Sequence, residues 1–225
     1  MTIQPIITED GSSTLFIPEL NEHYHSVHGA IQESMHIFIH NGYDQIRTSP
    51  ARIFEAGFGT GLNAFLTFLT SERTGNSVHY TSVEKYPLED QIVGLLNYPE
   101  MTDPRKAAVF KAIHNAPWDQ DVRISGYFTL YKMRSDLLEI QLQDSIYDLV
   151  YFDAFGPDIQ PELWTEEIFR MLYQSMKAVS FLVTYSVKGS VKRGLKAAGF
   201  NLEKLPGPPG KREITRATKK KTNGE

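Results

Sequence analysis

The hydrophobic pattern changes character near residue 50. Before it, two short extended runs, PIIT (5–8) and STLFI (13–17), flank the turn pair Asp10-Gly11, which predicts a small β-hairpin. From Gly29 to about Asn41, Ile31, Met35, Phe38 and Ile39 fall on one face at helical spacing. From Ala51 onward, short apolar runs alternate with amphipathic stretches. Strands are expected at ARIFEA (51–56), VHYTSVE (78–84), FTLYKM (128–133), YDLVYFDAF (147–155) and SFLVTYS (180–186). Helices are expected at about 61–72, 88–97, 104–114, 161–176 and 188–198. Two final runs, FNLEKL (200–205) and REITRAT (212–218), joined by PGPPG, read as a closing antiparallel hairpin. Strand–helix alternation of this kind implies an α/β fold with a mostly parallel, doubly wound sheet. The expected organisation is an N-terminal hairpin-plus-helix extension at 1–50, an α/β domain at 51–217 and a disordered basic tail, TKKKTNGE, at 218–225.

Composition narrows the classes. With 225 residues, 41% hydrophobic and 22% charged, the chain suits one globular α/β domain plus a modest appendage. There are no cysteines, which removes disulfides, thiolate nucleophiles, iron–sulfur clusters and cysteine zinc sites. No signal peptide and no apolar run of bilayer length is visible, so the expectation is a cytoplasmic protein without a membrane partner. The net charge of −4 conceals an asymmetry: residues 187–225 carry eleven Lys/Arg against three Asp/Glu, a net +8, and the rest carries −12. A basic end on an acidic body can steer a polyanion to one face, and it is equally compatible with a solvated tail.

The sequence F-E-A-G-F-G-T-G-L-N, Phe54 to Asn63, follows a predicted strand and opens a predicted helix. Gly57, Gly59 and Gly61 let backbone approach a ligand, and free N–H groups at the helix start bind anions. The third glycine of a pyrophosphate fingerprint is missing, while the pattern is similar to the E/D-x-G-x-G-x-G loop of S-adenosylmethionine enzymes. That similarity implies cofactor contacts from Glu55, Gly57, Phe58, Gly59, Gly61 and Asn63, with Glu55 near the cofactor's amino group. Glu84, at the end of the next strand, is placed to accept both ribose hydroxyls, with Lys85 and Tyr86 beside it and Tyr86 near the adenine. Asp136 has two readings of equal weight, a hydrogen bond to the adenine amino group or the N-cap of a helix DLLEIQ.

In YDLVYFDAFGPDIQPELW an apolar strand delivers Asp153 to the carboxyl edge of the sheet, where ligands of open α/β sheets bind. Phe155, Gly156 and Pro157 follow in a rigid turn, and Phe155 is placed to stack on a flat substrate. Asp153 is therefore the catalytic candidate, its alternative being a structural cap of the loop. Asp158, Glu162, Glu166 and Glu167 read as helix-start charges.

A Rossmann-like sheet closed by a C-terminal hairpin is the arrangement of class I methyltransferases. E-A-G-F-G-T-G-L-N, S-V-E-K-Y-P-L, Y-F-D-A-F-G-P-D-x-x-P-E-L-W and G-x-x-G-K-R-E together resemble the methyltransferase part of the tRNA 5-methylaminomethyl-2-thiouridine (MnmC) enzymes, over roughly residues 10–217. The resemblance implies methylation, with S-adenosyl-L-methionine as cofactor and no metal, of the exocyclic amine of 5-aminomethyl-(2-thio)uridine at the tRNA wobble position. The partner it implies is the tRNA anticodon stem-loop, with Asp153 beside the amine and Tyr24 and His25 bordering the site. The flavin-dependent oxidase part of the bifunctional enzymes has no counterpart in these 225 residues. A stand-alone methyltransferase is thus expected, with another enzyme supplying the aminomethylated tRNA. Lys211 and Arg212, with Lys188, Lys192 and Arg193, are candidates for phosphate contacts. His23, His25 and His28 have no matching carboxylate set for a metal. A spermidine-synthase-like aminopropyltransferase and a non-catalytic cofactor-binding module are the competing readings.

Overall fold

A computed structural model describes residues 2–220. The N-terminal extension forms β1 (Gln4–Ile7), β2 (Ser13–Ile17) and β3 (Glu22–His23), an antiparallel sheet in that order. The helix expected from Gly29 is composite, α1 (Ala30–Ser34) running into a π-helical segment, Met35–His40. Its first turn is capped from the hairpin. Ser12 Oγ accepts from the N–H groups of Ala30 (3.1 Å) and Ile31 (3.2 Å), and Asp10 Oδ2 accepts from that of Gln32 (2.9 Å). Turn residues thereby satisfy N–H groups that the helix itself leaves unpaired.

The α/β domain follows as β4 (Ala51–Ala56), α2 (Leu62–Thr74), β5 (Val78–Val83), α3 (Asp90–Val93), α4 (Tyr98–Thr102), α5 (Ala107–Asn115), β6 (Asp121–Arg123) and β7 (Phe128–Met133). It closes with β8 (Tyr147–Phe152), α6 (Glu166–Ser175), β9 (Met176–Thr184), α7 (Gly189–Ala197), β10 (Asn201–Pro206) and β11 (Glu213–Lys219). The strands form one sheet in the order β10-β11-β9-β8-β4-β5-β7-β6. β4, β5, β7, β8 and β9 pair in parallel, and β6, β10 and β11 add antiparallel pairs at the two ends. The expected α/β, mostly parallel, Rossmann-like sheet with its C-terminal hairpin is present.

Both faces of the sheet are covered, which explains the continuous apolar runs. Ile53, Leu149 and Tyr151 point into one core with α2 and α5; their neighbours Phe54, Val150 and Phe152 point into the other with α6 and α7. From β4 the chain first adds β5 and β7 on one side, then β8 and β9 on the other. Reversal of strand order beside β4 opens a crevice at the carboxyl ends of β4 and β8.

Several boundaries differ from the sequence expectation. The helix expected at 88–97 is two short ones, because Gly94 ends α3 and Pro99 suits only the first turn of α4. Pro104–Lys106 and Pro161–Trp164 are 3-10 turns ahead of α5 and α6, and β9 begins at Met176. No helix follows Asp136; residues there form turns. β11 reaches Lys219, so the tail cannot start at 218, and residues 221–225 of that expectation lie outside the described residues. Among the described residues, no helix is long and apolar enough to cross a membrane.

Candidate functional site

The crevice is a cavity of about 510 Å³, walled by the loop after β4, the ends of β5, β7 and β8, and the N-terminal extension. The glycine loop is folded back on the sheet: the N–H groups of Gly57 and Phe58 both donate to Val83 O, at 3.1 and 3.2 Å. Gly57 has φ +93°, and a Cβ there would lie 3.1 Å from Asp153 O. Only glycine lets the cofactor loop and the Asp153 backbone come this close. Gly61 caps α2 in the left-handed conformation and is not part of the cavity wall. The Phe58 ring is buried, edge-on to His114 (5.3 Å) and Trp118 (6.1 Å).

Glu84 lines the cavity with both oxygens steered by backbone donors: Gly59 N–H to Oε2 at 3.0 Å and Tyr86 N–H to Oε1 at 2.8 Å. Beside it, Lys85 Nζ pairs with Asp136 Oδ2 at 2.7 Å. Asp136 Oδ1 accepts from Leu138 N–H at 3.0 Å, so Asp136 stabilises a turn while lining the cavity. Tyr86 is 68% exposed at the rim, under the Lys85 ammonium.

Glu55 does not line the cavity. It is wholly buried behind the loop, accepting from Ser82 Oγ at 2.7 Å. Burial pushes its carboxyl up to about 8, against the hydrogen bond from Ser82. Asn63, buried in the first turn of α2, does line the cavity and donates from Nδ2 to Asp153 Oδ2 at 2.8 Å.

Asp153 stands one residue beyond β8 and lines the cavity. Burial holds its carboxyl well above the usual carboxylate range, and the charges of Glu55 and Glu33 add to this; the Asn63 donor and the Lys211 ammonium oppose it. The following turn is pinned on two sides. Trp164 Nε1 donates to Phe155 O and Tyr185 OH donates to Ala154 O, both at 2.8 Å. Phe155 meets Tyr24 edge-on with ring centroids 5.0 Å apart, and both line the cavity. Burial, with the charge of Glu84, pushes the Tyr24 phenol up to about 12. His25 Nε2 is 2.7 Å from Thr60 Oγ1, and burial pushes its imidazole down to about 4, which keeps it neutral.

The remaining predicted residues separate. Pro157 and Arg212 are not on the cavity wall; they line an adjoining outer depression that shares Leu20, Glu22, Gly156, Tyr185 and Lys211 with it. Lys211 lines both and pairs with buried Glu33. Lys188 pairs with Asp158, and Lys192 lies 4.0 Å from Glu213. The three histidines take different partners: the His23 ring is tilted against Phe16, His25 meets Thr60 and His28 pairs with Glu9. Sequence reasoning missed Glu33 and Tyr185. Glu33 reads as an ordinary helix charge and Tyr185 as a strand aromatic, and only the fold turns them toward Asp153.

Residues 100–220 match the family described as S-adenosyl-L-methionine-dependent methyltransferase. The "tRNA 5-methylaminomethyl-2-thiouridine biosynthesis bifunctional protein MnmC" of Magnetococcus marinus is 32% identical over 215 residues, covering 90% of this chain and 32% of that protein. Its namesake in Chromobacterium violaceum is 31% identical over 206 residues, covering 85% of this chain and 31% of the other. This chain spans about a third of the length of these curated relatives. Among solved structures, MnmC2 from Aquifex aeolicus superposes with a TM-score of 0.79 at 26% identity, covering 98% of this chain and 72% of that one. Spermidine synthase from Thermotoga maritima reaches a TM-score of 0.51 at 11% identity, over 93% of this chain and 69% of that one, a likeness of fold alone.

Proposed function

Because the chain belongs to the S-adenosyl-L-methionine-dependent methyltransferase family, we propose that it methylates the exocyclic amine of 5-aminomethyl-(2-thio)uridine at the tRNA wobble position, giving 5-methylaminomethyl-(2-thio)uridine. The observation that carries this reading is Asp153: a carboxyl at the sheet's carboxyl edge, in the cavity that also holds the glycine loop and Glu84. Relatives whose names specify 5-methylaminomethyl-2-thiouridine biosynthesis support the substrate.

The residues present suit the cofactor. Glu84, oriented by two backbone donors, offers its remaining lone pairs to the ribose hydroxyls. Asn63 Oδ1 is a buried acceptor with no hydrogen-bond partner, on a residue of the cavity wall, and it complements an ammonium donor. When bound, S-adenosyl-L-methionine supplies an electrophilic sulfonium methyl and leaves as the neutral thioether.

What the chain adds is positioning and charge. Asp153 accepts a hydrogen bond from the acceptor amine and stabilises the positive charge that develops on its nitrogen. It also stands where it can accept the proton that this nitrogen releases. Its raised pKa makes it a better-matched base than an ordinary carboxylate. Tyr24 and Phe155 offer aromatic surface to the pyrimidine, and holding both reactants supplies much of the rate. The anticodon stem-loop is the docking element, and an aminomethyl-forming tRNA enzyme supplies the substrate.

The test is incubation with methyl-labelled S-adenosyl-L-methionine and tRNA bearing the aminomethyl group, followed by nucleoside analysis. Label is expected in 5-methylaminomethyl-(2-thio)uridine. Cofactor binding without transfer, or transfer only to a polyamine, overturns the reading.

A further inference from the structure

Lys211 and Arg212 are neighbours in sequence but meet different surroundings. Arg212 is exposed on the outer depression, whereas Lys211 also lines the cavity that holds Asp153. The turn that carries them is seated on the N-terminal extension. Gly210 has φ +81°, and a Cβ there would lie 2.1 Å from His28 Cδ2. His36 Nε2 lies 2.8 Å from Pro206 O, at the same turn.

Within that seat the Lys211 ammonium is fixed. It lies 2.5 Å from Glu33 Oε1 and 4.4 Å from the centroid of the Tyr185 ring. Glu33 is itself held, its Oε2 accepting from Ser26 N–H at 2.8 Å. The Tyr185 hydroxyl donates to Ala154 O, next to Asp153. A chain of contacts therefore runs from Lys211 to the turn that carries Asp153. An ammonium already paired with a buried carboxylate gains little from a solvated phosphate.

Two requirements meet at this point. The acceptor must be a neutral amine, because an ammonium has no lone pair. Asp153 must be ionised to serve it, yet the charges of Glu33 from α1 and of Glu55, buried behind the loop, oppose that, while Asn63 from α2 donates to it. Glu22, Glu84 and Lys85 line the same cavity, with the neutral rings of Tyr24, His25 and Tyr185. Lys211, from the closing hairpin, is the cation whose charge favours ionised Asp153, whereas Lys85 is paired with Asp136.

The geometry points to Lys211 as a positioning residue of methyl transfer, and not as a contact to the RNA backbone: locked between Glu33 and the Tyr185 ring, its ammonium is the fixed charge that favours the neutral acceptor amine together with ionised Asp153. This assignment rests on the methyl-transfer reading above. Loss of the charge makes both the amine and Asp153 easier to protonate, so the acid limb of the pH–rate profile moves to higher pH.

The experiment compares wild type, Lys211→Met and Lys211→Arg in single-turnover transfer to aminomethyl-tRNA at saturating cofactor across neutral to alkaline pH. Lys211→Met is expected to lose about tenfold near neutrality, with its acid limb raised by about one pH unit. Lys211→Arg keeps the wild-type limb, and tRNA affinity and its salt slope stay unchanged in both. An unmoved limb, or weaker tRNA binding with a flatter salt slope, overturns the assignment. A substrate-free arm separates this from the function itself: carbon-13 NMR titration of the Asp153 carboxyl in the cofactor-free protein. It should titrate higher in Lys211→Met, or in Lys211→Gln if the methionine variant does not fold; an identical titration overturns the assignment whatever the substrate proves to be.

Discussion

The N–H of Gly59 donates to Glu84 Oε2 at 3.0 Å, joining the glycine loop after β4 to the end of β5. With Tyr86 N–H on Oε1, this fixes a carboxylate on the cavity wall. The arrangement makes Glu84 a loop tether and, on the reading proposed above, the acceptor for the ribose hydroxyls.

Glu84→Ala should therefore weaken S-adenosyl-L-methionine binding by about 1–3 kcal/mol, the range for hydrogen bonds to a charged group. Calorimetry with a 2′,3′-dideoxy cofactor analogue separates the two roles. Wild type should bind the analogue less tightly than the cofactor, whereas Glu84→Ala should hardly distinguish them. An equal loss in both proteins would remove Glu84 from the ribose.

Glu55 should leave a pH signature on stability. An unfolded glutamate titrates near 4.5, whereas burial pushes Glu55 up to about 8. Between those values the folded protein binds the extra proton, so the stability contributed by Glu55 is lost as pH rises through that window. His25 and His114, pushed down by burial from 6.5 to about 4, act in the opposite sense, and their contribution is lost as pH falls through that window. Glu55→Gln removes only the first effect. In cofactor-free protein its melting temperature should match wild type at acidic pH and exceed it above about pH 8. A difference that does not widen with rising pH contradicts the buried, proton-retaining Glu55.

Arg212, like Lys204 of β10, is exposed on the outer depression. Arg212→Ala should weaken binding of an anticodon stem-loop RNA and reduce the salt slope by about one phosphate contact. Fluorescence anisotropy across a salt series reads both quantities. Unchanged affinity and slope would move the RNA contact away from this face.

The central sheet was legible in the sequence because buried parallel strands are near-continuous apolar runs, as β4 and β8 are. The glycine loop, Glu84 and Asp153 were legible because each follows a strand end in a local pattern. Edge strand β6 was not: Asp121–Arg123 is three residues long, and only its middle residue is shielded. Nor did local pattern show that Glu55 stands behind the loop, out of the cavity, or that Lys211 turns inward while Arg212 turns out. Those facts depend on contacts between distant segments, Glu33 with Lys211 and Gly210 with His28 among them.

On the proposed reading, Asp153 runs the chemistry of methyl transfer to an amine. Asn is nearly isosteric with Asp, so Asp153→Asn should keep the turn pinned by Trp164 and Tyr185 and should still bind cofactor. What it removes is the charge beside the nitrogen that becomes cationic, commonly worth on the order of a hundredfold in rate. A cofactor-site defect would appear as weaker binding, not slower turnover at saturation. The decisive measurement is single-turnover transfer to aminomethyl-tRNA at saturating cofactor, wild type against Asp153→Asn. The expected result is a fall of about a hundredfold or more; rates that agree within about threefold, less than a kcal/mol of barrier, would leave Asp153 a structural cap.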